Sequence, residues 1–349
     1  MTRVLEVAGR AEGGLAGQVR SLVEGLPSQG FELAQAEVAG ATVDAAFMLW
    51  RLIRRWRPAV LHLHGFRAGL VGRLAAALIP GPRPGVVYTV HGEPGPAAPP
   101  LARAGLAWAE RALFPVADRV LAVSGSVRGY LVRLGLPPGG VEVLPGGVDA
   151  ERFRPGAGGG ALRQELGVLP GQVLVGSAGR LAPEKGMEDY IRAVADLAPR
   201  RPDARFLLAG DGPLRPRLVA LAQGLGLAGR LHFLGRREDM PAVLSDLDLF
   251  LLPSRSEGLP QVLLEAMACG VPVVAAWAGG VAEALAPGTG VLVPPGTPGA
   301  LSAAAGALLD DPDRRRRLGR LARAVVKHRF ERRQWLGRMA AIYREVGRG

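Results

Sequence analysis

LDLFLLPSRSEGLPQVLLEAMACGVPVVAA, Leu247–Ala276, reads as one complete strand–loop–helix–strand unit. LDLFLL is an apolar run of strand length, and Pro253 to Pro260 break it with serine, glycine and proline. A helical pattern then runs from Gln261 to Cys269, stops at Gly270 with Pro272 just beyond, and gives way to the strand VPVVAA. Two strands joined by a helix run parallel, and such a sheet needs helices on both faces. Working outward, QVLVGSAGR, ARFLLAGDG, RLHFLG and GVLVPP repeat this grammar around the central unit. The first half follows it too: Val4, Leu5 and Val7 open a strand, and AVLHLHG, GVVYTVHG, RVLAVS and VEVLP supply more, separated by helix-length stretches. Two Rossmann-like α/β/α domains are expected, 1–156 and 161–330, separated by the side-chain-poor stretch PGAGGG at Pro155–Gly160. Those glycines make no dinucleotide fingerprint, because no apolar strand leads into them. Ligands of open parallel sheets bind beyond the carboxyl ends of strands, so chemistry belongs in the post-strand loops of two domains facing a cleft.

Composition narrows the class. The chain has 349 residues, 48% of them hydrophobic and 21% charged, which excludes a disordered protein. No apolar run reaches the ~18–20 residues that span a bilayer, and the start MTRVLEVAGR lacks a signal-peptide pattern, so a cytoplasmic protein is expected. The single cysteine, Cys269, reads as a buried small side chain in a reducing compartment. The formal charge of +12 is concentrated: Asp310–Gly349 alone carries thirteen Lys or Arg against five Asp or Glu. This distribution argues against nucleic acid as a partner. A second basic cluster, Arg51, Arg54 and Arg55 in LWRLIRRWRP, reads first as a solvated helix face and leaves contact with the inner face of an anionic membrane open.

Four loops hold the candidate site residues. Glu257 lies in the loop after LDLFLLP and Glu265 about one turn into the following helix, with the N–H groups of Gly258 and Leu259 between them. Carboxylates accept hydrogen bonds from paired hydroxyls, and N–H groups at a helix start favour an anion, so the set suits a ligand bearing both. Either glutamate alone reads as an ordinary carboxylate. In GRLAPEKG, Arg180 and Lys185 sit after a strand where two cations can neutralise a diphosphate. Lys185 is one of only two lysines among 43 basic residues, which favours a need for its compact point charge. Gly13 and Gly14 open the first helix and offer N–H groups to a phosphate. His91 ends the strand of GVVYTVHG, and its position alone fits a structural histidine as well as a ligand contact. His62 and His64 share a strand face, with no acidic residue near them in sequence to complete a metal site. Asp246 and Asp248 precede an apolar strand and read as structural, so no metal is expected; Gly210 and Gly212 read as a tight turn.

The stretch from Pro253 to Ala275 resembles the E-x7-E segment of a large family of retaining glycosyltransferases, glycosyltransferase family 4 or group 1, which includes sucrose synthases and bacterial glycogen synthases. The resemblance covers nearly the whole chain and is strongest from Gly179 to Gly290. It implies a GT-B architecture, with residues 331–349 forming a C-terminal helix that carries Trp335 and Tyr343, and with Phe330 before them, back to the first domain. It implies transfer of a hexosyl group from a nucleoside-diphosphate sugar to a hydroxyl acceptor with retained anomeric configuration, and no cofactor. By position, Glu257 takes the donor sugar's hydroxyls, Glu265 the ribose, Arg180 and Lys185 the diphosphate, His91 the donor hexose, and Gly13 and Gly14 a phosphate or the acceptor. Gly146, Trp277 and Thr297 depart from the family's usual residues and touch substrate identity more than class. Two other readings stay open on sequence: a nucleotide-sugar epimerase of the same fold, and a non-catalytic protein binding an anionic surface.

Overall fold

The computed structural model describes residues 1–9, 13–93 and 100–347. It divides into two compact units, Met1–Gly147 with Arg332–Gly349, and Val148–Glu331. In the first, the order is β1 (Thr2–Ala8), α1 (Gly13–Gly25), β2 (Phe31–Glu37), α2 (Thr42–Trp56), β3 (Val60–His64), α3 (Gly65–Ala77), β4 (Gly85–Val90), α4 (Pro100–Leu113), β5 (Arg119–Ala122), α5 (Gly125–Arg133) and β6 (Glu142–Val143). The sheet is parallel, ordered β2-β1-β3-β4-β5-β6. Strand order therefore reverses between β1 and β3, which opens a crevice at their carboxyl ends. The strand β2 was not expected from sequence, because FELAQAE alternates polar residues through an edge position and buries only Phe31 fully.

The second unit runs α6 (Ala161–Glu165), β7 (Val173–Ala178), α7 (Met187–Leu197), β8 (Ala204–Ala209), α8 (Arg215–Gly224), β9 (Leu231–Gly235), α9 (Met240–Ser245), β10 (Leu249–Leu252), α10 (Gln261–Ala268), β11 (Val273–Ala276), α11 (Val281–Ala284), β12 (Val291–Val293), α12 (Pro298–Leu309) and α13 (Pro312–Arg329). Its parallel sheet is ordered β12-β11-β10-β7-β8-β9, with the reversal between β7 and β10. The helix α7 shows why these elements form. It buries Met187, Tyr190, Ile191, Val194 and Leu197, spaced three and four apart, against the core built by Val175, Phe206 and Leu249. Each such side chain contributes about 1.5–3 kcal/mol of burial, so Leu197→Ala should cost ~2–5 kcal/mol.

The final helix, α14 (Arg332–Val346), returns to the first unit. Trp335, Leu336, Met339 and Tyr343 enter the core around Val4, Leu22 and Phe31. Phe330, grouped with that helix from sequence, instead stays in the second unit, where its carbonyl accepts the N–H of Val148 at 2.8 Å. The stretch Pro155–Gly160 also differs from the expected flexible linker. Gly158 N donates to Ser245 Oγ at 2.8 Å and Gly160 N to Asp246 Oδ1 at 3.1 Å, which ties the segment down inside the second unit. A Cβ on Gly158 would meet the Ala242 carbonyl at 2.8 Å, so backbone packs here where no side chain fits.

Candidate active site

In the second unit, three post-strand loops converge beside the β7–β10 reversal. The loop after β7 ends in a turn of 3₁₀ helix, Pro183–Lys185, and Gly186 at φ +63° starts α7. A Cβ on Gly186 would stand 2.2 Å from the Pro253 carbonyl, so only glycine lets this loop meet the one after β10. Gly279, at φ +52°, plays the same part after β11: its Cβ would lie 1.8 Å from the Glu257 carbonyl. Arg255 N donates to the Glu184 carbonyl at 2.8 Å, and Gly280 N donates to the Gly258 carbonyl at 2.9 Å. Arg255 also clamps Asp189 of α7 through two bonds of 2.9 Å.

This framework brings Lys185 and Glu257 together. Lys185 Nζ donates to Glu257 Oε1 at 2.7 Å and to Oε2 at 2.9 Å, and Ser254 Oγ donates to Oε1 at 2.7 Å. An ammonium has three protons, so one remains for a further acceptor. Arg180 is half-exposed and donates to Glu184 Oε1 at 2.7 Å. Both expected cations are thus held by carboxylates, Arg180 by Glu184 of its own loop and Lys185 by Glu257 of the loop after β10. Behind them, α10 has Pro260 at its N-cap position and no side-chain cap, and among the described residues the N–H groups of Gly258 and Leu259 meet no protein acceptor.

Glu265 projects from the first turns of α10, half-buried, and no ion pair or side-chain hydrogen bond engages it among the described residues. Burial pushes its carboxyl up to about 7, against the pull of Arg152. Burial also raises the thiol of Cys269 to about 12, with Glu265 adding to the effect. That thiol is therefore inert, as a packed small side chain should be. Asp246 and Asp248 are spent on structure: Asp246 accepts from Leu162 N at 3.0 Å, and Asp248 accepts from Leu174 N at 2.8 Å and from Arg163 at 2.9 Å. Gly210 and Gly212 let the loop after β8 run against backbone near Gly179 and Leu181.

The first unit holds the remaining candidates. Gly13 and Gly14 open α1 and are exposed; the residues just before them, 10–12, lie outside the described set. His91 follows β4, and beneath it lies a polar cluster that sequence reasoning missed. The β1–β3 register sets Glu6 opposite His62. His64 Nε2 donates to Glu6 Oε2 at 2.7 Å, and His62 Nδ1 lies 3.0 Å from the same oxygen. Tyr343 of α14 donates to Glu6 Oε1 at 2.8 Å, and Thr89 Oγ1 lies 2.8 Å from His62 Nε2. The sequence-based statement that no acidic residue serves the histidine pair is therefore corrected. Glu6 lies 56 positions from His62 along the chain, and only strand pairing brings it close. The ligand atoms of Glu6, His62 and His64 fall within 4.8 Å of one another, a spacing that suits a divalent ion, but each is already engaged in a hydrogen bond. Burial alone would raise the Glu6 carboxyl, yet His62 and His64 overcome it and hold it at about 2. Burial, with His62, drives His64 down to about 4, and burial with His64 and His62 holds His91 well below its ordinary value.

Comparison with known proteins identifies the family and the fold. The profile of the glycosyl transferases group 1 matches residues 160–325, and that of glycosyltransferase family 4 matches residues 36–152. A D-inositol 3-phosphate glycosyltransferase of Segniliparus rotundus is 33% identical over 315 residues, covering 84% of this chain and 68% of that protein. The chain belongs to the group 1 glycosyltransferases. A GDP-mannose-dependent monoacylated alpha-(1-6)-phosphatidylinositol monomannoside mannosyltransferase of Corynebacterium glutamicum is 39% identical over 197 residues, covering 53% of this chain and 51% of that protein. The match thus spans about half the length of this relative and of others like it. Among solved structures, the Anabaena HepE protein in complex with UDP-glucose superposes with a TM-score of 0.84 at 22% identity, covering 99% of this chain and 100% of that one. The likeness establishes the GT-B fold.

Proposed function

We propose that this group 1 glycosyltransferase transfers a hexosyl group from a nucleoside-diphosphate sugar to a hydroxyl acceptor, with retention and without a catalytic metal. The observation that carries the reading is the meeting of Lys185 and Glu257 at a strand-order reversal, with an unpartnered carboxylate, Glu265, one turn into the adjoining helix. In this reading Glu257, oriented by Lys185 and Ser254, accepts hydrogen bonds from donor sugar hydroxyls. Glu265 accepts from the ribose hydroxyls. The free N–H groups of Gly258 and Leu259 and the cations Lys185 and Arg180 take the diphosphate. As the bond from the anomeric carbon to phosphate oxygen breaks, the electron pair leaves with the diphosphate, where fixed positive charge stabilises it. The acceptor oxygen bonds to the anomeric carbon on the same face and passes its proton to the departing phosphate. Within the first unit, this reading assigns His91, Gly13 and Gly14 to substrate. The relatives' names, which cite GDP-mannose and inositol phosphate, support a nucleotide-sugar donor and a polar acceptor.

Thermal shift with UDP-, GDP- and ADP-sugars, with and without a chelator, tests this reading. A donor at a hundred times its dissociation constant should stabilise the protein by ~2.7 kcal/mol in both conditions. No shift with any of them, or a shift abolished by chelation, contradicts the proposal.

A peripheral site at the cytoplasmic face of a membrane also belongs to the proposal. No helix among the described residues is long and apolar enough to cross a bilayer. On α2, Val43, Phe47 and Met48 are exposed beside Arg51, Arg54 and Arg55, and Phe47 stacks on Trp50. An apolar and cationic helix face suits the interface of an anionic leaflet. Co-sedimentation with phosphatidylglycerol vesicles should exceed that with phosphatidylcholine vesicles and fall on Phe47→Ser; equal sedimentation with both would remove the membrane from the account.

A further inference from the structure

The cluster beneath His91 contains a chain of hydrogen bonds whose proton positions follow one from another. Glu6 lies on β1, His64 on β3 and His91 just after β4, so three neighbouring strands place them in a row. At neutral pH Glu6 is ionised and acts only as an acceptor. His64 Nε2, 2.7 Å from Glu6 Oε2, must therefore carry a proton and donate it. A neutral imidazole has one N–H, so His64 Nδ1 presents a lone pair. His91 Nε2 lies 3.1 Å from that nitrogen and must be the donor. The neutral His91 ring then has no proton left for Nδ1, and no described protein group hydrogen-bonds that atom.

We propose that Glu6 and His64 are positioning residues that fix the tautomer of His91, so that its Nδ1 presents a lone pair to a hydroxyl of the substrate. Ring orientation and proton placement are set from behind, by groups that touch no substrate. Tyr343 holds the other oxygen of the Glu6 carboxylate, Oε1, and His62 lies 3.0 Å from the oxygen that His64 bonds, which prevents the carboxylate from turning away from His64. A hydroxyl is the ligand class that matches: a bare imidazole nitrogen accepts an O–H proton and repels a carbonyl or phosphate oxygen. The use made of Nδ1 rests on the function proposed above; the tautomer itself does not.

Nitrogen-15 NMR of protein labelled at its five histidines tests the tautomer directly. The His91 signals, assigned by their loss in His91→Asn, should show a proton on Nε2 and a bare Nδ1 at neutral pH. A proton on Nδ1 overturns the proposal, as does a shift of the His62 and His64 signals on adding one equivalent of zinc to the purified protein, since a bound ion would replace the proton chain. Glu6→Gln should mix the His91 tautomers; an unchanged His91 spectrum in a folded variant also overturns it. Because that variant removes a buried charge, two substitutions at His91 provide an independent readout. Asparagine places an oxygen near the Nδ1 position, whereas glutamine places its amide near Nε2. His91→Asn should retain about 10-fold more turnover than His91→Gln, the value of one hydrogen bond. The reverse order would show that Nδ1 is not the working atom. Failure of every sugar nucleotide to bind, with the tautomer as expected, would instead defeat the functional reading and leave the proton chain standing.

Discussion

The two units reverse strand order in the same way and treat the resulting crevice in opposite ways. At the β1–β3 reversal, Glu6, His62 and His64 are buried, and each is hydrogen-bonded to a neighbour in the cluster, with Tyr343 of α14 completing the set. At the β7–β10 reversal, the Lys185 side chain is 25% exposed, Arg180 is half-exposed, and Glu265 has no partner. One reversal is closed by buried groups that satisfy one another, and the other leaves its ion-paired cations accessible to solvent beside one carboxylate, Glu265, that no described side chain engages. Topology supplies the crevice in both cases; whether it becomes interior or site depends on what covers it. In the first unit that cover is α14, whose return buries a tyrosine over the carboxylate.

The sharpest way to break this comparison is to remove one group from each reversal. Lys185→Ala takes away the charge proposed to stabilise the leaving diphosphate, and turnover should fall by roughly 10²–10³-fold, the scale of one lost electrostatic contact to a transition state. Its melting temperature should fall as well, because Glu257, 6% exposed, keeps only the Ser254 hydrogen bond among its side-chain partners. Tyr343→Phe should act mainly on stability. It deprives a buried carboxylate of a hydrogen bond, which costs about 1–3 kcal/mol of stability, while turnover falls far less than with Lys185→Ala. Steady-state kinetics and calorimetry on both variants decide the matter. A Lys185 variant with normal turnover would remove the leaving-group role assigned to that charge, and a Tyr343 variant at full stability would show that the hydrogen bond to Glu6 does not hold the first crevice closed.

Much of this contrast could be read from the sequence, for identifiable reasons. The β10–loop–α10 segment was legible because its strand, its turn residues and its helix stop at Gly270 all agree on one local structure, and Glu257 and Glu265 take their places from it. Lys185 stood out through composition alone. The strand β2 was hidden because an edge strand with one wet face carries little apolar signal. Pro155–Gly160 looked like a linker because glycine removes the side chains by which packing is recognised, whereas its backbone is what Ser245 and Asp246 hold. Glu6 was overlooked for a different reason. A charged residue in the middle of an apolar strand has meaning only once the β1–β3 register sets it beside His62.

Protonation offers the finest test of the contrast, because the two reversals should respond to pH with opposite signs. In the first unit, the unfolded chain protonates His64 near 6.5, but the folded ring resists until about 4. Stability from this source is therefore full above 6.5 and is lost as pH falls through that window. Glu6 extends the same trend: its folded carboxyl titrates at about 2 against an ordinary 4.5, so its contribution is present above 4.5 and fades toward 2. In the second unit Glu265 runs the other way. Its folded carboxyl holds a proton up to about 7 where the unfolded one has lost it by 4.5, so stability is full below 4.5 and falls as pH rises through 7. The group is half-buried and solvent screens it, which limits the effect to the order of 1 kcal/mol. Hydrogen exchange, expressed as protection relative to the unstructured chain at each pH, separates the units: β3 should gain protection between pH 5 and 7 while α10 loses it. Glu265→Gln should flatten the slope in α10 and leave that of β3 unchanged. Slopes of the same sign in both elements, or an α10 slope that persists in the variant, would show that Glu265 does not carry the proton assigned to it. It would then be an ionised carboxylate throughout this range, able to accept ribose hydroxyls without first losing a proton.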